Sequence, residues 1–113
     1  MAAKYELKKA ANGKYIFNLK AGNGEVILTS QLYKAASYAK KGIASVIKNG
    51  PQKERFEIKD AANGQVFFVL KAANSQVIGK SEFYPTKAIA EKGIASVMKN
   101  AAAATIVEKA DAE

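Results

Sequence analysis

Hydrophobic and polar positions alternate at the start of the chain. Tyr5-Glu6-Leu7-Lys8 reads as a half-buried strand, with one side chain in and the next out. Ala11-Asn12-Gly13-Lys14 follows, and Asn-Gly between two alternating runs is a strong hairpin signal. The next run, Tyr15 to Lys20, places Tyr15, Phe17 and Leu19 on one face. A second turn at Ala21-Gly22-Asn23-Gly24 leads to a third short strand, Glu25 to Thr29. Past Ser30-Gln31-Leu32-Tyr33 the period changes from two to that of a helix. Ala35, Ala39, Gly42, Ile43 and Val46 form its single apolar stripe. Gly42 inside that stripe weakens the helix, and close approach of helix backbone to sheet is its simplest justification. Asn49-Gly50-Pro51 stops the helix.

The plan is then repeated. Lys41-Gly42-Ile43-Ala44-Ser45-Val46 returns unchanged as Lys92 to Val97, and about 22 of the 40 residues over positions 10–49 match their partners fifty-one positions on. A match of that extent is an internal duplication. In the second copy Phe56 and Ile58 take the places of Tyr5 and Leu7, and Val66, Phe68 and Leu70 point inward. Gln76 to Lys80 forms the third strand, and Ala90, Gly93, Ile94 and Val97 form the helix stripe. Pro85 suits a first helical turn, where a missing N–H costs nothing. The chain therefore divides into repeat one (4–51), repeat two (52–109) and a short tail (110–113). Arg55 to Lys59 aligns both with Lys4-Tyr5 and with the tail at Ile106 to Lys109. The segment Gln52 to Asp60 can thus close the first unit and open the second as one long strand. Ala101 to Ala104 leads either into a closing strand or into an extension of the second helix.

Charge narrows the function classes. The 113 residues make one domain and carry +8, from 18 Lys and Arg against 10 Asp and Glu; Arg55 is the only arginine. Lysine offers a point charge where arginine offers a fork for phosphates and base edges, so the field favours solubility over specific nucleic-acid reading. His and Cys are absent. That removes Ser-His-Asp and Cys-His chemistry, disulfides and most zinc sites. Glu54, Glu57 and Asp60 sit among Lys53, Arg55 and Lys59 as a charge-balanced strand. Gly22-Asn23-Gly24 precedes a strand rather than a helix, which makes it a turn and not a phosphate cradle. Ser30, Ser81, Tyr33 and Tyr84 recur at matched positions without a neighbouring base, and the tyrosines read as packing at the strand-to-helix crossing. No enzyme, cofactor or metal site is expected. With no apolar run of signal or membrane-spanning length, the expected location is cytoplasmic.

Lys20-Ala21-Gly22-Asn23-Gly24-Glu25-Val26-Ile27-Leu28-Thr29-Ser30, then Tyr33 and Lys41 to Val46, resemble the YegP-like family of small bacterial proteins, in its tandem-duplicated branch. The resemblance runs from Tyr5 to Asn100. It implies two β3-α-β units that share a sheet and exchange their last strands, so that the duplicated chain is a covalent pseudo-dimer, a monomer in solution. It implies no catalytic or ligand residues. Repeat two departs from the family phrase at Ala73, Ser75 and Gln76.

The expected architecture is α+β: a single antiparallel sheet with both helices on one face and C-terminal strands exchanged. Phe17, Leu19, Ile43, Val46, Phe68, Leu70, Ile94 and Val97 are its expected core. The opposite face then presents Ile16, Asn18 and Lys20 from repeat one and Phe67, Val69 and Lys71 from repeat two. Ile27 and Ile78 are expected beside them, with Lys8, Lys59 and Lys80 around the rim. An apolar strip edged by lysines is unusual on a solvent-facing sheet. It is core if the sheet curls on itself, a contact surface for a protein partner, or a platform for single-stranded nucleic acid with Phe67 stacking a base. The expected function is a small non-enzymatic interaction module with a protein partner, and the alternative is weak, sequence-tolerant nucleic-acid binding.

Overall fold

A computed structural model describes residues 3–10 and 12–108. Met1, Ala2, Ala11 of the first turn, Lys109 and the 110–113 tail lie outside the described residues. The strands are β1 (Lys4–Lys9), β2 (Tyr15–Lys20), β3 (Val26–Thr29), β4 (Phe56–Asp60), β5 (Val66–Lys71), β6 (Val77–Lys80) and β7 (Thr105–Glu108). Helix α1 (Ala36–Asn49) follows β3 and α2 (Lys87–Asn100) follows β6. All seven strands join one sheet in the order β4-β5-β6-β3-β2-β1-β7. The meanders β1-β2-β3 and β4-β5-β6 meet where β3 pairs with β6, through Thr29 and Lys80. Those two residues are each other's equivalents in the duplication, so a pseudo-two-fold axis passes between them.

Both helices cover the same face. Tyr5, Phe17, Leu19 and Leu28 share one buried cluster with Ile43, Val46, Phe68, Leu70, Ile94 and Val97. All eight expected core residues are in it. The glycine in each helix has a more particular cause than proximity to sheet backbone. A Cβ on Gly42 would stand 2.8 Å from Cζ of Tyr33 and 3.1 Å from Phe17, and one on Gly93 would stand 2.8 Å from the Tyr84 hydroxyl. Each notch thus receives a tyrosine ring, itself stacked on a β-strand phenylalanine: Tyr33 on Phe17 at 6.2 Å and Tyr84 on Phe68 at 6.1 Å.

Five expectations need correction. The sheet is mixed, because β7 runs parallel to β1. Helix α2 carries the chain back across the sheet and delivers Thr105 beside Ala3, whose carbonyl accepts the Thr105 N–H at 3.2 Å. From there β7 can only run in the direction of β1. Strand exchange is present but unequal: β4 leaves α1 to pair antiparallel with β5, whereas β7 leaves α2 to lie outboard of β1. Gln52 to Asp60 is not one long strand; Lys53–Arg55 form a 3-10 turn before β4 begins. Ile27 and Ile78 belong to the core, not to the open face. The register shifts by one residue where β3 meets β2 and again where β6 meets β5, and this bulge turns both isoleucines inward. Pro85 precedes the helix instead of starting it. Thr86 is the N-cap, its hydroxyl accepting the Ile89 N–H at 3.2 Å.

Candidate interaction face

The six expected face residues do lie on the side away from the helices, but in two separate triplets. Ile16, Asn18 and Lys20 are on β2, and Phe67, Val69 and Lys71 are on β5. Strands β3 and β6 lie between, a separation of about 14 Å at the usual spacing. The two triplets are therefore not neighbours in the sheet.

Polar members of both triplets are already engaged. Lys20 lies 3.0 Å from Glu6, with Lys4 at 3.4 Å on the other oxygen, and Glu6 is only 5% exposed. Lys20 is thus the counter-ion of a buried carboxylate, which would be costly to leave unpaired. Asn18 accepts a hydrogen bond from Thr29 Oγ1 at 2.9 Å. Lys71 is bonded to Glu57, and that bond, with the charges of Lys71 and Lys59, holds the Glu57 carboxyl below its ordinary range. Val69 is buried, only 4% exposed.

The open end of the face is at repeat two. Phe67 meets Phe83 edge-on, with centroids 5.7 Å apart at 84°, and the Lys80 ammonium stands 5.1 Å from one ring centroid and 5.8 Å from the other. Such an arrangement combines aromatic and cation–π attraction. Phe83 is 55% exposed. It was not among the expected face residues because it follows β6 in a segment that reads only as an approach to the helix. Its equivalent in repeat one, Leu32, is 46% exposed. Phe67 itself is half-buried, with Phe83 on its edge and Lys80 over its ring. Lys80 and Phe83 are thus the groups already set against the Phe67 ring.

Elsewhere the polar groups serve the fold. Ser30 Oγ accepts the Phe17 N–H at 2.9 Å and donates to the Gln31 carbonyl at 2.7 Å, and Ser81 repeats this with Phe68 and Glu82. Burial raises the Tyr33 and Tyr84 hydroxyls above their ordinary range, so neither is poised as a base. The Gly22-Asn23-Gly24 turn uses its donors internally: Gly24 N–H to Ala21 and Glu25 N–H to Asn23 Oδ1. No cluster of three metal-ligating side chains occurs among the described residues. No helix among them is long and apolar enough to cross a membrane.

A domain of unknown function, DUF1508, matches the chain twice, at residues 10–57 and 61–108. The UPF0339 protein YegP of Escherichia coli K12 is 53% identical over 106 residues, spanning 94% of this chain and 96% of that one. A UPF0339 protein of Pseudomonas aeruginosa is 54% identical over 99 residues, spanning 88% and 90%. The solution NMR structure of Escherichia coli YegP, a protein of unknown function, superposes with a TM-score of 0.91 at 50% identity, covering 100% of this chain and 97% of that one. That of a UPF0339 protein from Shewanella oneidensis gives 0.89 at 47% identity, covering 97% and 93%.

Proposed function

Because the chain belongs to the UPF0339 family, whose duplicated DUF1508 domain has no assigned role, we propose from its own surface that it is a small non-enzymatic interaction module of the cytoplasm. Its contact site is the repeat-two end of the open face, and its partner is a protein. One observation carries this reading: Phe83 is held in solvent against Phe67 under the Lys80 ammonium. Exposed aromatic side chains are among the residue types that anchor protein interfaces. The two triplets contribute unequally. Phe67 and Val69 floor the site, Lys71 and Lys80 rim it, and Ile16, Asn18 and Lys20 lie at the far end.

The test is capture from native lysate with and without nuclease, using the wild type and Phe83→Ser. Phe83 is more than half exposed, so its loss costs stability mainly the ring pair with Phe67, about 0.5–1.5 kcal/mol. We expect a nuclease-resistant protein partner that the variant fails to retain. A partner retained equally by the variant, or one lost on nuclease treatment, would overturn the assignment.

A further inference from the structure

We propose that β4 is a self-pairing edge, at which a second copy of the chain adds its own β4 antiparallel about Ile58 and joins two seven-stranded sheets into one. The duplication shows that the lane is open. On the other flank β7 covers β1, and the β1 residues Tyr5, Leu7 and Glu6 are 0%, 2% and 5% exposed. Their equivalents on β4 lack such cover: Phe56 and Ile58 are half-buried and Glu57 is exposed. No strand among the described residues lies outboard of β4. A cleft of about 320 Å³ between α2 and the Lys53 turn, lined by Ile94, Ala95 and Met98, borders the same flank.

Backbone direction fits. Val66 and Tyr84 exchange hydrogen bonds at 2.9 and 2.7 Å, and the Phe68 carbonyl accepts from Ser81. Val66 and Phe68 thus turn their backbone groups to the β6 side, leaving those of Phe67 and Val69 for β4. In the unshifted β4–β5 register these meet Lys59 and Glu57. The N–H and C=O groups of Phe56, Ile58 and Asp60 consequently face outward, ready for a further strand.

Side chains choose the occupant and the register. The stretch Lys53 to Asp60 holds three basic and three acidic residues, neutral within a chain of +8. Edge charges usually block pairing. Here a two-fold axis at Ile58 sets Glu57 opposite Lys59 of the second copy, twice over, as a close pair without intervening hydrogen bonds. Shifting the axis by one residue sets glutamate against glutamate or lysine against lysine. Only the Ile58 register is free of like-charge opposition, and it closes as a dimer without propagating. One short strand pair buries far less than the roughly 1,600 Å² of a standard interface, so the dimer is weak, with Kd on the order of 0.1–1 mM. The dilute protein is accordingly a monomer.

Sedimentation equilibrium up to about 1 mM tests this, that ceiling being set by the affinity class. The wild type should shift toward twice its monomer mass. Glu57→Lys and Lys59→Glu alone should each stay monomeric, and an equimolar mixture of the two should associate more tightly than wild type, because every opposed pair is then of opposite charge. Circular dichroism verifies that both variants are folded. Should either not fold, Ile58→Pro, which removes an outward N–H together with a half-buried side chain, must abolish the wild-type dimer while its circular dichroism remains that of a folded chain. A wild type that stays monomeric throughout, or folded variants that ignore each other, would overturn the proposal and leave the lane to an unrelated strand.

Discussion

Tyr5 does what its equivalent Phe56 cannot. Its hydroxyl donates to the Ala101 carbonyl at 2.5 Å, satisfying a helix-terminal acceptor ninety-six residues away. Burial raises the phenol well above its ordinary range near pH 10. The folded state therefore keeps a proton that the unfolded chain releases. This contribution is complete below pH 10 and declines as pH rises toward the folded value. Tyr5→Phe should cost about 1–3 kcal/mol at pH 7, since it strands the buried carbonyl. It should also lose stability less steeply than wild type above pH 10, as read by urea unfolding across that range; equal slopes would refute the linkage. At this scale the sequence is only partly legible. The alternation marks Tyr5 as inward, but no local pattern reveals a partner so distant. The buried Ser30 and Ser81 hydroxyls were hidden likewise, because their roles appear only once β2 and β3 are side by side.

Helices and strands were more legible, because period two and period 3.6 leave different traces. The stripe through Ala39, Gly42, Ile43 and Val46 is the buried face of α1. What periodicity could not show was the bulge after Leu19 and its counterpart after Leu70, since one extra residue reverses every face assignment beyond it. Nor could it show what occupies the glycine notches. Gly42→Leu should drive Tyr33 off Phe17 and lower stability by about 1–3 kcal/mol, the usual range for overpacking. The near-ultraviolet dichroism of the tyrosines should weaken with it. An unchanged unfolding midpoint would mean that the notch is not required. Helix starts differ between the repeats: Thr86 caps α2 through its hydroxyl, while Ala35 before α1 makes no side-chain cap.

For the whole molecule, the duplication announced two equivalent halves in one sheet, and that is how the chain folds. It could not announce how the halves differ where they meet. At the pseudo-two-fold axis, Leu28 packs on its own equivalent, Gly79, where a Cβ would stand 2.6 Å from the leucine Cδ2. Gly50 likewise faces its equivalent, Ala101, and an added Cβ there would fall 2.5 Å from the alanine Cβ. Helix α1 reaches over β5 and β6 and α2 over β3, so the halves are held by crossed packing besides the short β3–β6 seam. Leu28→Ala should cost about 2–5 kcal/mol and Gly79→Ala about 1–3. Together they should cost less than the sum by more than 0.5 kcal/mol, because each change accommodates the other. Additive losses in urea unfolding would show that the two residues do not share one space.

The knob at Leu28 and the hollow at Gly79 give the duplication a direction in time. Two first halves brought together would collide leucine to leucine, and two second halves would leave a void between glycines. The repeats are lock and key to each other, and at this seam neither copy can stand in for the other.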